Sequence, residues 1–140
     1  MRALAAIPRE RVLGAWPAVA ASVSQARRAV VDHATTLGAT AAALAAIELA
    51  VSEAVTNAVQ HAYAGAREPG HVKVSAAPAD GALVVIVADE GNGMRPRPDS
   101  PGLGLGLPLI SQMTQSFEVH QPPRGGTLLS MRFDLTRGLL

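Results

Sequence analysis

His71-Val72-Lys73-Val74-Ser75-Ala76, then Asp80-Gly81, then Ala82-Leu83-Val84-Val85-Ile86-Val87-Ala88 is the stretch in which the chain changes period. The first six residues alternate as a half-buried strand does. Asp80-Gly81 is a hairpin turn, and the run Ala82 to Ala88 is apolar throughout, as a strand inside a sheet must be. Two segments before this stretch repeat with helical spacing. Thr40 is placed to cap a helix from about Ala41 to Tyr63, with Leu44, Ile47, Val51, Val55, Ala58 and Ala62 on its core face. An earlier helix runs from about Ala18 to Leu37, where Val19, Val23, Ala26, Val30 and Leu37 share a face and Gly38 is a natural stop. Further upstream, Leu4 to Ile7 reads as an edge strand ahead of a charged Arg9-Glu10-Arg11 and Trp16-Pro17.

Downstream of the hairpin lies a Gly/Pro-rich loop, Gly91 to Gly106, and then a short helix beginning near Leu107. Phe117 to His120 reads as a strand, Pro122 to Gly126 as a turn and Thr127 to Leu135 as a last strand. This order describes an α+β fold, a two-layer α/β sandwich with a mixed, mostly antiparallel sheet and helices on one face. At 140 residues the chain makes one domain, 1–140, with its core at about 19–135 and residues 1–18 as an N-terminal strand and connector.

Composition excludes several functions. Aromatics are 3% of the chain, too few for a protein that binds single strands by base stacking. Net charge is +1 with no basic run, so a phosphate-backbone binder is not expected. Lys73 is the only lysine, which removes a Gly-Lys-Ser/Thr phosphate loop. With no cysteine there are no disulfides, thiolate nucleophiles or cysteine-ligated metals. The longest apolar stretches are interrupted by Gly, Pro or charge short of the roughly 18 residues that span a bilayer, and the N-terminus is unlike a secretory signal. The expected location is the cytoplasm, away from membranes.

Three segments carry chemistry. Glu53 and Asn57 stand four apart on the second helix, about 40° apart around its axis. A carboxylate can polarise a hydroxyl, and an amide oxygen is a hard ligand suited to Mg²⁺. Their place away from the Leu44/Val51/Val55 stripe is equally that of two solvated residues on an outer face. Asp89-Glu90-Gly91-Asn92-Gly93 follows the most apolar strand; its first carboxylate can accept from an exocyclic amine such as that of adenine, although a plain polar turn has the same composition. Gly102-Leu103-Gly104-Leu105-Gly106-Leu107 exposes successive N–H groups ahead of a helix N-terminus, an anion cradle that needs no lysine. A loop crossing the sheet would look similar, but the interleaved leucines imply a packed one.

In joint order these segments resemble the GHKL ATPase superfamily, and most of all its anti-sigma regulatory factor branch of small serine-protein kinases. Ile47 to Tyr63 is similar to that branch's N box, Val87 to Met94 to its first glycine box, Gly102 to Ile110 to its second, and Gly125-Gly126-Thr127 to its closing strand. The resemblance implies a Bergerat-type ATP-binding fold using ATP and Mg²⁺. By resemblance, Asn57 ligates Mg²⁺, Asp89 holds the adenine amino group, and Gly91 and Gly93 seat the base. Gly102, Gly104 and Gly106 meet the phosphates, Thr127 supports the adenine side, and Glu53 is the base that orients an attacking serine. Met94 to Pro101, with Arg95 and Arg97, would be a short lid.

The resemblance further implies an anti-sigma factor that sequesters a sigma factor and phosphorylates a serine of an anti-anti-sigma partner with a STAS fold. The region before residue 19 and the first helix make dimer or partner contacts in the family, so a homodimer is among the expectations. Two alternatives stay open: a nucleotide-gated binding module with negligible phosphoryl transfer, and a detached histidine-kinase ATPase domain acting on another protein's histidine.

Overall fold

The computed structural model describes residues 9–62, 70–90, 103–123 and 125–139. In chain order the elements are β1 (Arg11–Pro17), α1 (Ala21–Thr36), α2 (Ala41–Asn57) continued by a π-helical turn (Ala58–Ala62), β2 (His71–Ala79), β3 (Ala82–Asp89), α3 (Leu103–Met113), β4 (Ser116–His120) and β5 (Thr127–Asp134). They form the α+β sandwich expected, with a five-stranded sheet in the order β1-β2-β3-β5-β4. The sheet, expected to be mixed and mostly antiparallel, is antiparallel at every pairing among the described residues. The β2–β3 hairpin turns at Asp80 and Gly81, both with positive φ, as a two-residue turn matched to strand twist requires. β3 is the middle strand, which accounts for its unbroken apolar run.

One face of the sheet carries the core. Val72 and Val74 of β2, Leu83, Val85 and Val87 of β3, and Leu129, Met131 and Phe133 of β5 meet Val30 of α1, Ile47, Val51 and Val55 of α2, and Ile110 of α3. α1 ends as expected at Gly38 (φ +84°): the Gly38 N–H donates to Thr35 O (3.0 Å) and the Ala39 N–H to Ala34 O (3.2 Å), a double closure of the last turn. Its buried residues are Ser22, Ala26, Val30 and Ala34, so the face is turned from the expected one and leaves Val19 and Leu37 exposed.

Three further readings differ from the structure. Arg11–Pro17, in a segment read as charged connector, is an edge strand; the Leu4 to Ile7 reading lies outside the described residues. An edge strand covers the sheet on one side only, so its polar start and terminal Pro17 cost little. Second, α3 begins at Leu103 rather than near Leu107 and takes in Gly104 and Gly106. Third, Ala41–His61 is long and apolar enough to cross a membrane, its most apolar 18-residue window having a mean hydropathy of 1.4, although Glu48 and Glu53 interrupt it. Half of its most apolar window is buried inside the domain, as in a core helix.

Candidate functional site

α2 carries two of the predicted site residues, and their surroundings differ from the outer face on which sequence places them. Asn57, the last α-helical residue, is only 3% exposed, and Glu53 is half-buried. The buried sector of α2 is wider than its large aliphatic residues show. Ala43, Ala46, Ala50 and Ala54 are buried as well, and Asn57 stands within about 20° of Ala50 around the helix. α1 takes the flank where Arg27 Nη1 donates to Ser52 Oγ (3.3 Å), and α3 also packs against α2. Alanine lets these helices approach closely and gives almost no hydrophobic signal in the sequence.

Within this buried corner Asn57 Nδ2 has no hydrogen-bond partner, and neither has His61 Nε2 one turn later. The backbone between them widens into the π-helical turn Ala58–Ala62, which touches β3. Such insertions recur at functional sites, where they re-aim the side chains that follow.

Asp89 and Thr127 meet at the same end of the sheet. Asp89 closes β3 and pairs with Thr127, the first residue of β5, while Val72 pairs with it from the other side. Thr127 is 3% exposed and Asp89 is half-buried. Immediately before Thr127, Gly126 has φ +85°, and a Cβ there would overlap the Asp89 carbonyl oxygen and lie 3.0 Å from Glu90 Cα. Only glycine permits both this conformation and this approach of two backbones.

Gly104 and Gly106 lie in the first turns of α3. The N–H groups of the first turn, Gly104's among them, have no intrahelical acceptor, and the helix dipole there is positive. Pro108 stands inside the same helix, so the bond that residue 108 would donate to the Gly104 carbonyl cannot form. Gly91, Gly93, Gly102 and the lid from Met94 to Pro101, with Arg95 and Arg97, lie outside the described residues.

The structure therefore gathers Asn57, the π-turn, Asp89 and Thr127 at one end of the domain. Sequence reading missed three features there. The π-turn has no sequence signal; the buried nitrogen of His61 depends on it; and the backbone contact at Gly126 was foreshadowed only by a paired glycine before a strand.

Comparison with known proteins gives a consistent picture. The profile of the histidine kinase-like ATPase domain matches residues 16–133. No curated protein matches significantly. Among solved structures, one of the RsbU and RsbW domains of Rv1364c from Mycobacterium tuberculosis is similar at 25% identity and a TM-score of 0.65, covering 85% of this chain and 32% of that one. The histidine kinase domain from the Erythrobacter litoralis EL346 blue-light activated histidine kinase is similar at 31% identity and a TM-score of 0.54, covering 69% of this chain and 46% of that one. This chain thus corresponds to less than half of either structure. The profile spans all three helices, strands β2 to β4, all but the last residue of β5 and the candidate site, and the chain belongs to the histidine kinase-like ATPase domain family.

Proposed function

We propose that this domain binds ATP with Mg²⁺ and transfers the γ-phosphoryl group to a serine of a STAS-fold partner, serving as an anti-sigma factor that also sequesters a sigma factor. The observation that carries the reading is Asn57: a buried amide with an unpartnered nitrogen, at the end of the domain where Asp89 and Thr127 pair. An unsatisfied buried amide costs about 1–3 kcal/mol, and a polar ligand at that corner would relieve it. The amide's terminal torsion is close to two-fold, so a half-turn presents Oδ1, a hard donor suited to Mg²⁺, at the same place. The donor set thus fits a metal that also binds phosphate oxygens.

Bound there, Mg²⁺ would neutralise charge on the phosphates; the remaining work falls to the chain's own groups. The Asp89 carboxylate accepts from the exocyclic amine of the base, and the Thr127 hydroxyl supports the same edge. Free N–H groups in the first turn of α3 receive phosphate oxygens without a lysine. Glu53, one turn before Asn57 on the same side of α2, accepts the proton of the attacking hydroxyl and orients it. Gly91, Gly93 and Gly102 complete the binding groups in this reading, through their resemblance to the family's glycine boxes.

Support for the serine-kinase branch comes from the N box read in the sequence and from the likeness to the structure of the RsbU and RsbW domains of Rv1364c. The test combines purified protein, Mg-ATP and a STAS-domain partner. Acid-stable phosphoserine on the partner is expected, with Glu53→Ala slowing transfer at least about hundredfold while ATP affinity stays within about threefold. Undiminished transfer by Glu53→Ala removes the assigned base. Asp89→Asn is expected to weaken ATP binding by about thirtyfold or more in calorimetry, the loss of a charge-assisted hydrogen bond.

A second reading is favoured by the likeness to a histidine kinase domain at 31% identity. It assigns the same ATP site to a partner's histidine, and acid-labile phosphate on the product distinguishes it.

A further inference from the structure

Both helices that supply the candidate site are fastened, at their far ends, to one short C-terminal turn. At the start of α2, the Thr40 N–H donates to Leu135 O (3.0 Å) and the Thr40 hydroxyl donates to Arg137 O (2.6 Å). At the end of α3, Arg137 Nη1 donates to the carbonyl oxygen of Met113, the last helical residue (3.1 Å). A cation on a terminal carbonyl both satisfies an orphan acceptor and complements the negative end of the helix dipole. Nearby, the Gln115 N–H donates to Arg132 O (2.8 Å) and Arg132 Nε to Gln115 Oε1 (3.1 Å), tying the segment after the helix to β5. A cleft of about 270 Å³, lined by Met113, Gln115, Asp134 and Arg137 among others, opens beside these ties. Packing therefore does not enclose the guanidinium, and hydrogen bonding holds it.

The opposite end of α3 is weak by composition. Gly104 and Gly106 are poor helix formers, and Pro108 removes the bond that would close on Gly104. A first turn built this way cannot set its own position. It inherits that position from the rest of the helix, which is held by fully buried Ile110 and by the tie at Met113.

We propose that Arg137 is a positioning residue for the phosphate end of the nucleotide site, acting through the Met113 carbonyl and the length of α3. The inference rests on the nucleotide reading above. Because Asp89 and Thr127 stand on β3 and β5 rather than on α3, the base end of the ligand lies outside this linkage. Loss of Arg137 must then separate the affinities for the two parts of the ligand, which general destabilisation does not do.

The experiment measures Mg-ATP by calorimetry and adenosine by NMR titration, on the full chain, well below the thermal midpoint of each variant. Arg137→Ala is expected to raise the ATP dissociation constant about tenfold and leave that of adenosine within about twofold. Arg137→Lys, which keeps a cation near the carbonyl, is expected to recover most of the difference. If Arg137→Ala does not fold, Arg137→Gln gives the same ratio measurement with a neutral donor. A ratio of the two affinities equal to the wild-type ratio overturns the inference, whether both constants move together or neither moves. A wild-type protein that binds neither ligand overturns the nucleotide reading first, and that result is seen before any variant is made.

Discussion

At one end of the sandwich every polar group of Thr40 is in use; at the other, two buried nitrogens have no partner. The Thr40 N–H and hydroxyl donate to the C-terminal turn, its hydroxyl oxygen also accepts from the Ala43 N–H (3.1 Å), and its carbonyl accepts from the Leu44 N–H (2.9 Å). Asn57, seventeen residues later on the same helix, keeps an orphan Nδ2, as His61 keeps an orphan Nε2. One helix thus spans a finished end and an unfinished one. Buried polar groups without partners are costly, so their clustering where Asp89, Thr127 and Gly126 also meet marks that end as a place built to receive something. The remaining orphan among the described residues, Ser75 Oγ, lies in the interior of β2, and nothing in the structure accounts for it.

The contrast breaks most sharply at Asn57. Asn57→Leu replaces an unsatisfied amide by an apolar side chain of similar size, so stability is expected to hold or to rise by up to about 1 kcal/mol in urea unfolding. The same variant is expected to lose about hundredfold or more in Mg²⁺-dependent ATP affinity, measured by calorimetry with and without the metal. A large loss of stability would show that the amide is structurally satisfied and would remove the distinction between the two ends. At the finished end the signs reverse. Thr40→Val deletes a helix cap and the hydroxyl bond to Arg137 O together, and a loss of about 1–2 kcal/mol is expected in the same unfolding experiment.

The smallest effect concerns acid. Asp134 begins the C-terminal turn, and its carboxylate accepts from the Thr136 hydroxyl (2.6 Å) and the Thr136 N–H (2.9 Å). These bonds, the hydroxyl's first, hold its pKa below the usual carboxylate range; Arg137 adds to the shift and desolvation opposes it. A lowered folded-state pKa means that stability is present above the usual range and is lost as pH falls through the folded value. A small decline in thermal midpoint below the usual carboxylate range, reduced in Asp134→Asn, is the expected result. An equal acid decline in both proteins would assign it to other groups.

Much of the fold was legible because its signals are local. Thr40 as a cap, Gly38 as a stop, Asp80-Gly81 as a hairpin and the apolar run of β3 each declare a conformation through their own chemistry. The first strand was not legible, because Arg11 to Pro17 is an edge strand with a register shift between Val12 and Gly14 and mostly exposed or half-buried side chains. The start of α3 was misplaced because Gly104, Gly106 and Pro108 all argue against a helix that neighbouring elements nevertheless hold. At the site, residue identity was readable but environment was not. The burial of Asn57 depends on a flank of alanines, and the position of His61 on a π-turn, and neither leaves a pattern of period or hydropathy.

Trp16, the chain's sole tryptophan, packs half-buried against the core and covers Gly14, where a Cβ would meet the indole at 2.5 Å. It pairs with Val72, which pairs with Asp89, which pairs with Thr127, so the indole stands in the same cross-strand row as the candidate base-binding residues, two strands from Asp89 and three from Thr127. At about 4.8 Å between neighbouring strands, that is roughly 10 Å from the Asp89 backbone. The protein thereby carries a native fluorophore beside its candidate site, an optical gauge of events there that requires no label.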